Sequence, residues 1–185
     1  MEQAKAGHRT VYFVDAAHFV QAAFLGCLWS FVRVFIRSPS GRQRFNVLGA
    51  LCATSHRLVT VCNTDYINSQ SVCELLRKLV ALASAGPITV VLDNARYQRC
   101  ALVQTTAAKL GVELIFLPPY SPNLNLIERL WKFTKKQVLY SKYYATFADF
   151  QNAITSLLNN AHLTHSEQLD SLLTLNFQTF QNLNT

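Results

Sequence analysis

The chain has 185 residues, half of them hydrophobic, which is enough for one folded domain with its own core and excludes a disordered chain. Seventeen Lys and Arg stand against ten Asp and Glu, a formal charge of +7, so the expected partner is a polyanion, most simply nucleic acid. The opening MEQAKAGHRT has no apolar leader, and the longest apolar stretch, Phe19 to Ile36, is broken by Gln21, Gly26, Ser30 and Arg33, which excludes a membrane span.

In chain order, VYFVD (Val11 to Asp15) is a continuous apolar run closing on an acid, the pattern of a buried central strand. AAFLGCLWSFVRVFIRS (Ala22 to Ser38) predicts one or two further strands, and SPSGRQ after it a turn. RFNVLGALCATSHRLVTVCN (Arg44 to Asn63) predicts two strands around a polar turn at Ser55 and His56. The pattern then changes. Asn68 or Ser69 is placed to cap a helix through SVCELLRKLVALASA, which Gly86 and Pro87 stop. ITVVLD (Ile88 to Asp93) is a second buried strand ending on an acid. RYQRCALVQTTAAKLG predicts a helix closed by Gly111, and VELIFLP (Val112 to Pro118) a third buried strand. A proline-rich turn leads into a helix bearing Glu128, which Asn125 is placed to cap. Thr146 is placed to cap TFADFQNAITSLLNNA, and the tail from His162 is polar with little pattern. The expected architecture is one α/β domain over 1–185. It has a mixed central sheet, an antiparallel meander followed by alternating strands and helices, flanked by helices. The core spans about 10–140, with a helical part over about 141–185.

The five cysteines, Cys27, Cys52, Cys62, Cys73 and Cys100, are odd in number and form no C-x-x-C pair. Most lie in apolar runs, which reads as reduced, buried thiols rather than a disulfide frame or a zinc site.

Among the ten acids, Asp15 and Asp93 each close an apolar run. If the two strands pair in parallel, both carboxylates emerge at the carboxyl edge of the sheet, where α/β folds place their sites. A carboxylate there is costly to bury alone, and a divalent cation offsets that cost. Ile127, Trp131, Thr134 and Val138 share one helical face, and Glu128 lies at its border, aimed back towards the same edge. Three carboxylates with water make an oxygen-rich site suited to Mg²⁺ or Mn²⁺. Each acid also has a plainer reading: Glu128 with Lys132 as an i, i+4 surface pair, Asp15 and Asp93 as turn or strand-end acids.

Taken together, FVDAAHF, VVLDNARYQR and LPPYSPNLNLIERLWKFTKK resemble the catalytic domain of the IS630/Tc1/mariner transposases, DDE enzymes with an RNase H-like fold, over about Val11 to Val138. The third segment carries P-P-Y-S-P-x-L-N-x-I-E-x-x-W, and 34 residues separate Asp93 from Glu128, as in the DD34E members of that group. The resemblance implies that Asp15, Asp93 and Glu128 are the metal-binding catalytic triad. It implies Mg²⁺ as cofactor, with Mn²⁺ as a substitute and two ions once DNA is bound. It implies DNA cleavage and strand transfer: excision at the ends of an element and insertion at a TA dinucleotide by a prokaryotic, cytoplasmic enzyme that acts at the nucleoid. Asn94 is expected to shape the turn after Asp93 or to stand close behind the triad; His18, three residues after Asp15, is placed to approach the metals, with a satisfied, non-catalytic histidine as the favoured reading. Arg96, Arg99, Arg129, Lys132, Lys135 and Lys136 are candidates for phosphate contacts, with a solvated basic face as the plainer reading. Arg33, Arg37, Arg42 and Arg44 form a second basic cluster with the same two readings. The chain departs from the usual family pattern at Ala16, Gln98 and Leu126, none of which removes a triad carboxylate. The match starts about ten residues into the chain, leaving no space upstream for the family's helix-turn-helix domains. The resemblance implies a possible homodimer, and the expectation for the missing domains is a separately encoded or frameshift-fused helix-turn-helix protein. The alternative is a truncated remnant that binds DNA or a transposase without catalysis.

Overall fold

The computed structural model describes residues 2–21, 29–33, 35, 42–82, 86–119 and 121–177. After a single helical turn, α1 (Glu2–Lys5), come three strands, β1 (Thr10–Gln21), β2 (Gln43–Cys52) and β3 (Leu58–Asn63). They form an antiparallel meander. Helix α2 (Ser69–Leu82), strand β4 (Ile88–Leu92), helix α3 (Ala101–Leu110) and strand β5 (Val112–Phe116) follow. Helices α4 (Ile127–Leu139), α5 (Phe147–Thr164) and α6 (Ser166–Leu172) complete the described chain. The sheet order is β3-β2-β1-β4-β5, with β4 parallel to both β1 and β5.

Alternation along the strands divides the core between the two faces of this sheet. Phe13, Ala17 and Phe19 of β1 and Phe45, Val47 and Leu51 of β2 pack with α4, α5 and α6. Tyr12 and Val14 of β1 and Leu48, Ala50 and Cys52 of β2 pack with α2 and α3. The β1–β2 register runs unbroken from Tyr12↔Cys52 to Gln21↔Gln43, so this division of faces holds along the whole of β1. The expected mixed sheet flanked by helices is present.

Local chemistry explains most boundaries. Asn68 Oδ1 accepts the backbone N–H groups of Gln70 and Ser71 at 2.9 and 3.1 Å, starting α2 as expected. Gly111 closes α3 at φ 67°, a conformation that favours glycine. Thr146 and Asp149 form a capping box at the start of α5.

Four expectations are corrected. Strand β1 does not stop at Asp15 but continues to Gln21, because β2 pairs with it along that whole length. Helix α3 starts at Ala101 rather than near Arg96. Residues 96–100 form a turn in which Gln98 and Arg99 N–H both bond to Ala95 O, and Cys100 is extended. Asn125 does not cap α4 with its side chain: the N-cap is Leu126, with no side-chain hydrogen bond. The tail after His162 is not patternless, since α5 runs on to Thr164 and α6 follows, burying Leu169 and Leu173. The strands expected within Ala22 to Ser38 fall mostly outside the described residues, and residues 29–33 and 35 are not in a strand. The SPSGRQ turn and Arg37 also lie almost wholly or wholly outside them. Cys52, Cys62, Cys73 and Cys100 are free thiols, two buried and two half-buried. Among the described residues, no helix is long and apolar enough to cross a membrane.

Candidate active site

Phe13 pairs with Val91 in the parallel β1–β4 ladder, so Asp15 within β1 and Asp93 just past the end of β4, each two residues further on, come side by side. Strand β4 ends at Leu92, while β1 continues against β2. The two acids therefore meet where the sheet narrows and one flank of β1 is open. The Asp93 backbone turns at once: Ala95 N–H donates to Asp93 Oδ1 at 3.1 Å. Asn94 Nδ2 donates to Leu117 O at 2.6 Å, tying this turn to the end of the third parallel strand.

From Leu117 the chain passes through the proline turn and a short 3-10 helix, Pro122–Leu124, into α4. Asn125 Nδ2 donates to Val14 O at 3.2 Å, which fastens the entry of α4 to the residue before Asp15. Its Oδ1 is buried and has no hydrogen-bond partner. Ile127, Leu130, Trp131, Thr134 and Val138 are buried, as the helical wheel requires, and Glu128 is half-buried beside them. Among the described residues no ion pair joins Glu128 to Lys132, so the plain surface-pair reading of Glu128 is not what the structure shows. Asp15, Asp93 and Glu128 line one pocket of about 340 Å³, with Asn94, Asn125, Pro118 and Ser121 among its other walls.

Asp15 is the electrostatic centre of this pocket. Burial raises its carboxyl to about 7, and the negative charges of Glu128 and Asp93 push the same way. The Ala16 N–H and the Trp131 indole oppose the shift, but no cationic side chain acts on it. Tyr97 lies close by: burial pushes its hydroxyl up to about 12, and the charges of Asp93 and Asp15 add to that. As arranged, no group of three His, Cys, Asp or Glu among the described residues forms a metal-holding cluster. The donor chemistry still fits a hard divalent cation, because three carboxylates share a pocket and, among the described residues, no cation figures in the charges that act on Asp15.

The other predicted residues divide clearly. Asn94 lies at the pocket. His18 does not, for it belongs to the opposite alternation of β1 from Asp15, and its Nδ1 is 2.7 Å from Asn46 Oδ1. Arg96 and Arg99 are exposed on the turn after Asp93, and Lys132, Lys135 and Lys136 on the outer side of α4. Arg129 is corrected as a phosphate contact. Its guanidinium donates to the carbonyls of Leu172, Thr174 and Asn176 at 3.3, 2.8 and 3.0 Å and lies over the Phe177 ring. Sequence reasoning missed Tyr97, the Asn125 amide and Gly49, which is paired with Asp15 and covered by Trp131. Only the Asn and Trp of the third motif hinted at them.

Known structures of similar fold are DNA-processing enzymes. A Mos1 mariner paired-end complex with Mn superposes with a TM-score of 0.56 at 12% identity, over 95% of this chain and 57% of that one. The HTLV-2 integrase catalytic core in complex with magnesium gives 0.54 at 14% identity, over 85% of this chain and 86% of that one. A simian T-cell lymphotropic virus intasome gives 0.55 at 18% identity, over 96% and 59%. The chain thus spans less than three fifths of the Mos1 and intasome chains it matches. No curated protein matches its sequence. These likenesses show the RNase H-like integrase and transposase fold. The sequence model of the DDE superfamily endonucleases matches residues 10–151, most of the chain, and the protein belongs to that family.

Proposed function

We propose that the chain is the catalytic domain of a cut-and-paste transposase that cleaves and rejoins DNA with divalent metal ions. The observation that carries this reading is the meeting of Asp15, Asp93 and Glu128, from two parallel strands and the first turn of α4, in one pocket. Asp15, Asp93 and Glu128 are the residues that would hold the cations, and the negative charges of the other two acids on Asp15 are what a cation there would offset. Bound there, the cations would supply the positive charge that activates an attacking hydroxyl and offsets charge on the leaving oxygen.

The chain's own groups do the rest. Backbone and amide ties at Asp93, Asn94 and Asn125 hold the walls of the pocket in place. Exposed Arg96, Arg99, Lys132, Lys135 and Lys136 offer charge to the phosphates on either side of the scissile bond. The related Mos1 structures are paired-end and strand-transfer complexes, and the HTLV-2 core is a trimeric form. By that likeness this chain works on paired DNA ends as an oligomer, and by its resemblance to the mariner group it inserts at TA.

The test is metal-dependent nicking of supercoiled plasmid by the purified chain. Nicking is expected with Mn²⁺ and absent in EDTA. Asp93→Asn, which removes a charge but little volume, is expected to abolish it while leaving the thermal unfolding curve cooperative. Nicking by the variant at the wild-type rate would show that the carboxylates have been misassigned.

A further inference from the structure

Trp131 follows Glu128 by one turn of α4. It is 2% exposed, and its Nε1 has no hydrogen-bond partner among the described residues. A buried indole N–H normally has one, because leaving it unmade costs free energy. The ring position is set by Gly49. A Cβ built on Gly49 would lie 2.7 and 2.8 Å from Trp131 Cη2 and Cζ2, so the ring occupies the space a side chain there would fill. Gly49 is the β2 residue paired directly with Asp15. Side chains of such a pair stand about 5 Å apart on one face of the sheet. The Cζ2 edge is also the Nε1 edge of an indole. A ring seated on Gly49 by that edge therefore brings its N–H towards the Asp15 carboxyl, and the indole works against the upward shift of Asp15, as an N–H donor near a carboxylate does.

We propose that Trp131 is a positioning residue: its indole N–H holds one oxygen of Asp15, leaving the other free for a divalent cation, and the missing side chain at Gly49 is what lets it reach. This rests on the metal-site reading above. An indole N–H is a good partner for the charged oxygen of a carboxylate that holds a cation. Thr134, also fully buried with an unpartnered hydroxyl, sits one turn further along α4 and faces the same core.

The chain has two tryptophans, and Trp29 is exposed, which makes the test direct. In a ¹H–¹⁵N spectrum of the wild-type chain the two indole signals are assigned with Trp29→Phe. Titration with Mg²⁺ should move the Trp131 signal downfield and leave that of Trp29 in place. Trp131→Phe keeps a ring but removes the donor, and should weaken Mg²⁺ binding measured by calorimetry by roughly tenfold. Ile154→Ala, in the same core but on α5, controls for lost stability and should bind Mg²⁺ like wild type. If Asp93→Asn abolishes binding while Trp131→Phe binds like wild type and its signal stays fixed in the parent, the proposal is overturned and the metal site stands. If the wild-type chain shows no Mg²⁺-dependent change at all, the metal-site reading fails and this proposal fails with it.

Discussion

Asp15 lowers the stability of the fold as pH rises. A carboxyl held near 7 in the fold, against 3.8 when free, keeps a proton that the unfolded chain has already released. The metal-free fold is therefore favoured fully below about pH 4 and loses that advantage as pH rises through about 7. Asp15→Asn removes the penalty. In EDTA the variant should be more stable than wild type at pH 8, by about 2 kcal/mol once the partial exposure of Asp15 is allowed for, with little difference near pH 4. Urea denaturation at both pH values measures this, and parallel pH profiles for the two proteins would show that Asp15 is not under this strain. At this scale the three acids could be singled out in the sequence because each sits at a recognisable strand end or motif position, and they line one pocket. The reading of His18 as close to the metals required β1 to end at Asp15, whereas the favoured reading, a satisfied histidine, matches its contact with Asn46. Once the strand continues, simple alternation puts His18 on the other face. Arg129 was misread for a different cause: its partners lie more than forty residues away, and no local pattern announces a contact of that range.

Among the elements, α4 and β2 are locked together at one point. Gly49 carries no side chain because the Trp131 ring lies there, and a methyl group at 2.7 Å from a buried ring cannot be absorbed by a small rotation. Gly49→Ala should cost about 1–3 kcal/mol through overpacking. In the double variant with Trp131→Phe, whose smaller ring lacks the clashing edge, the added cost of the alanine should largely vanish. A double-mutant cycle measures that coupling, and strict additivity would mean the two sites do not touch. Helix existence was legible wherever a cap met an amphipathic run, as at Asn68 and Thr146. Boundaries were less so. The late start of α3 follows from burial of Gln98, which is fully enclosed in the turn after Asp93. The sequence shows a glutamine there with no sign that it points inward. The last helix, α6, was missed because its stabilisation comes from tertiary contacts of Leu169 and Leu173 rather than from an amphipathic repeat.

For the whole molecule, the charge of +7 and the site's place at one edge of the sheet combine into a prediction about DNA. Phosphate contacts from exposed Lys and Arg give affinity that falls steeply with salt and depends little on sequence, since they read no bases. Replacing Lys132, Lys135 and Lys136 together with alanine should lower the slope of log affinity against log salt by up to about 2.7, close to 0.9 for each phosphate no longer neutralised. Arg129→Gln should leave that slope unchanged, because its guanidinium already serves the carbonyls of Leu172, Thr174 and Asn176. It should instead release the segment that Phe177 anchors against Phe13, and so lower the unfolding temperature. Fluorescence anisotropy with a labelled duplex between about 50 and about 200 mM salt separates the two cases. A reduced slope for Arg129→Gln with unchanged stability would return that residue to the DNA surface. An unchanged slope for the triple-lysine variant would move the DNA path away from the outer side of α4, towards the turn that carries Arg96 and Arg99.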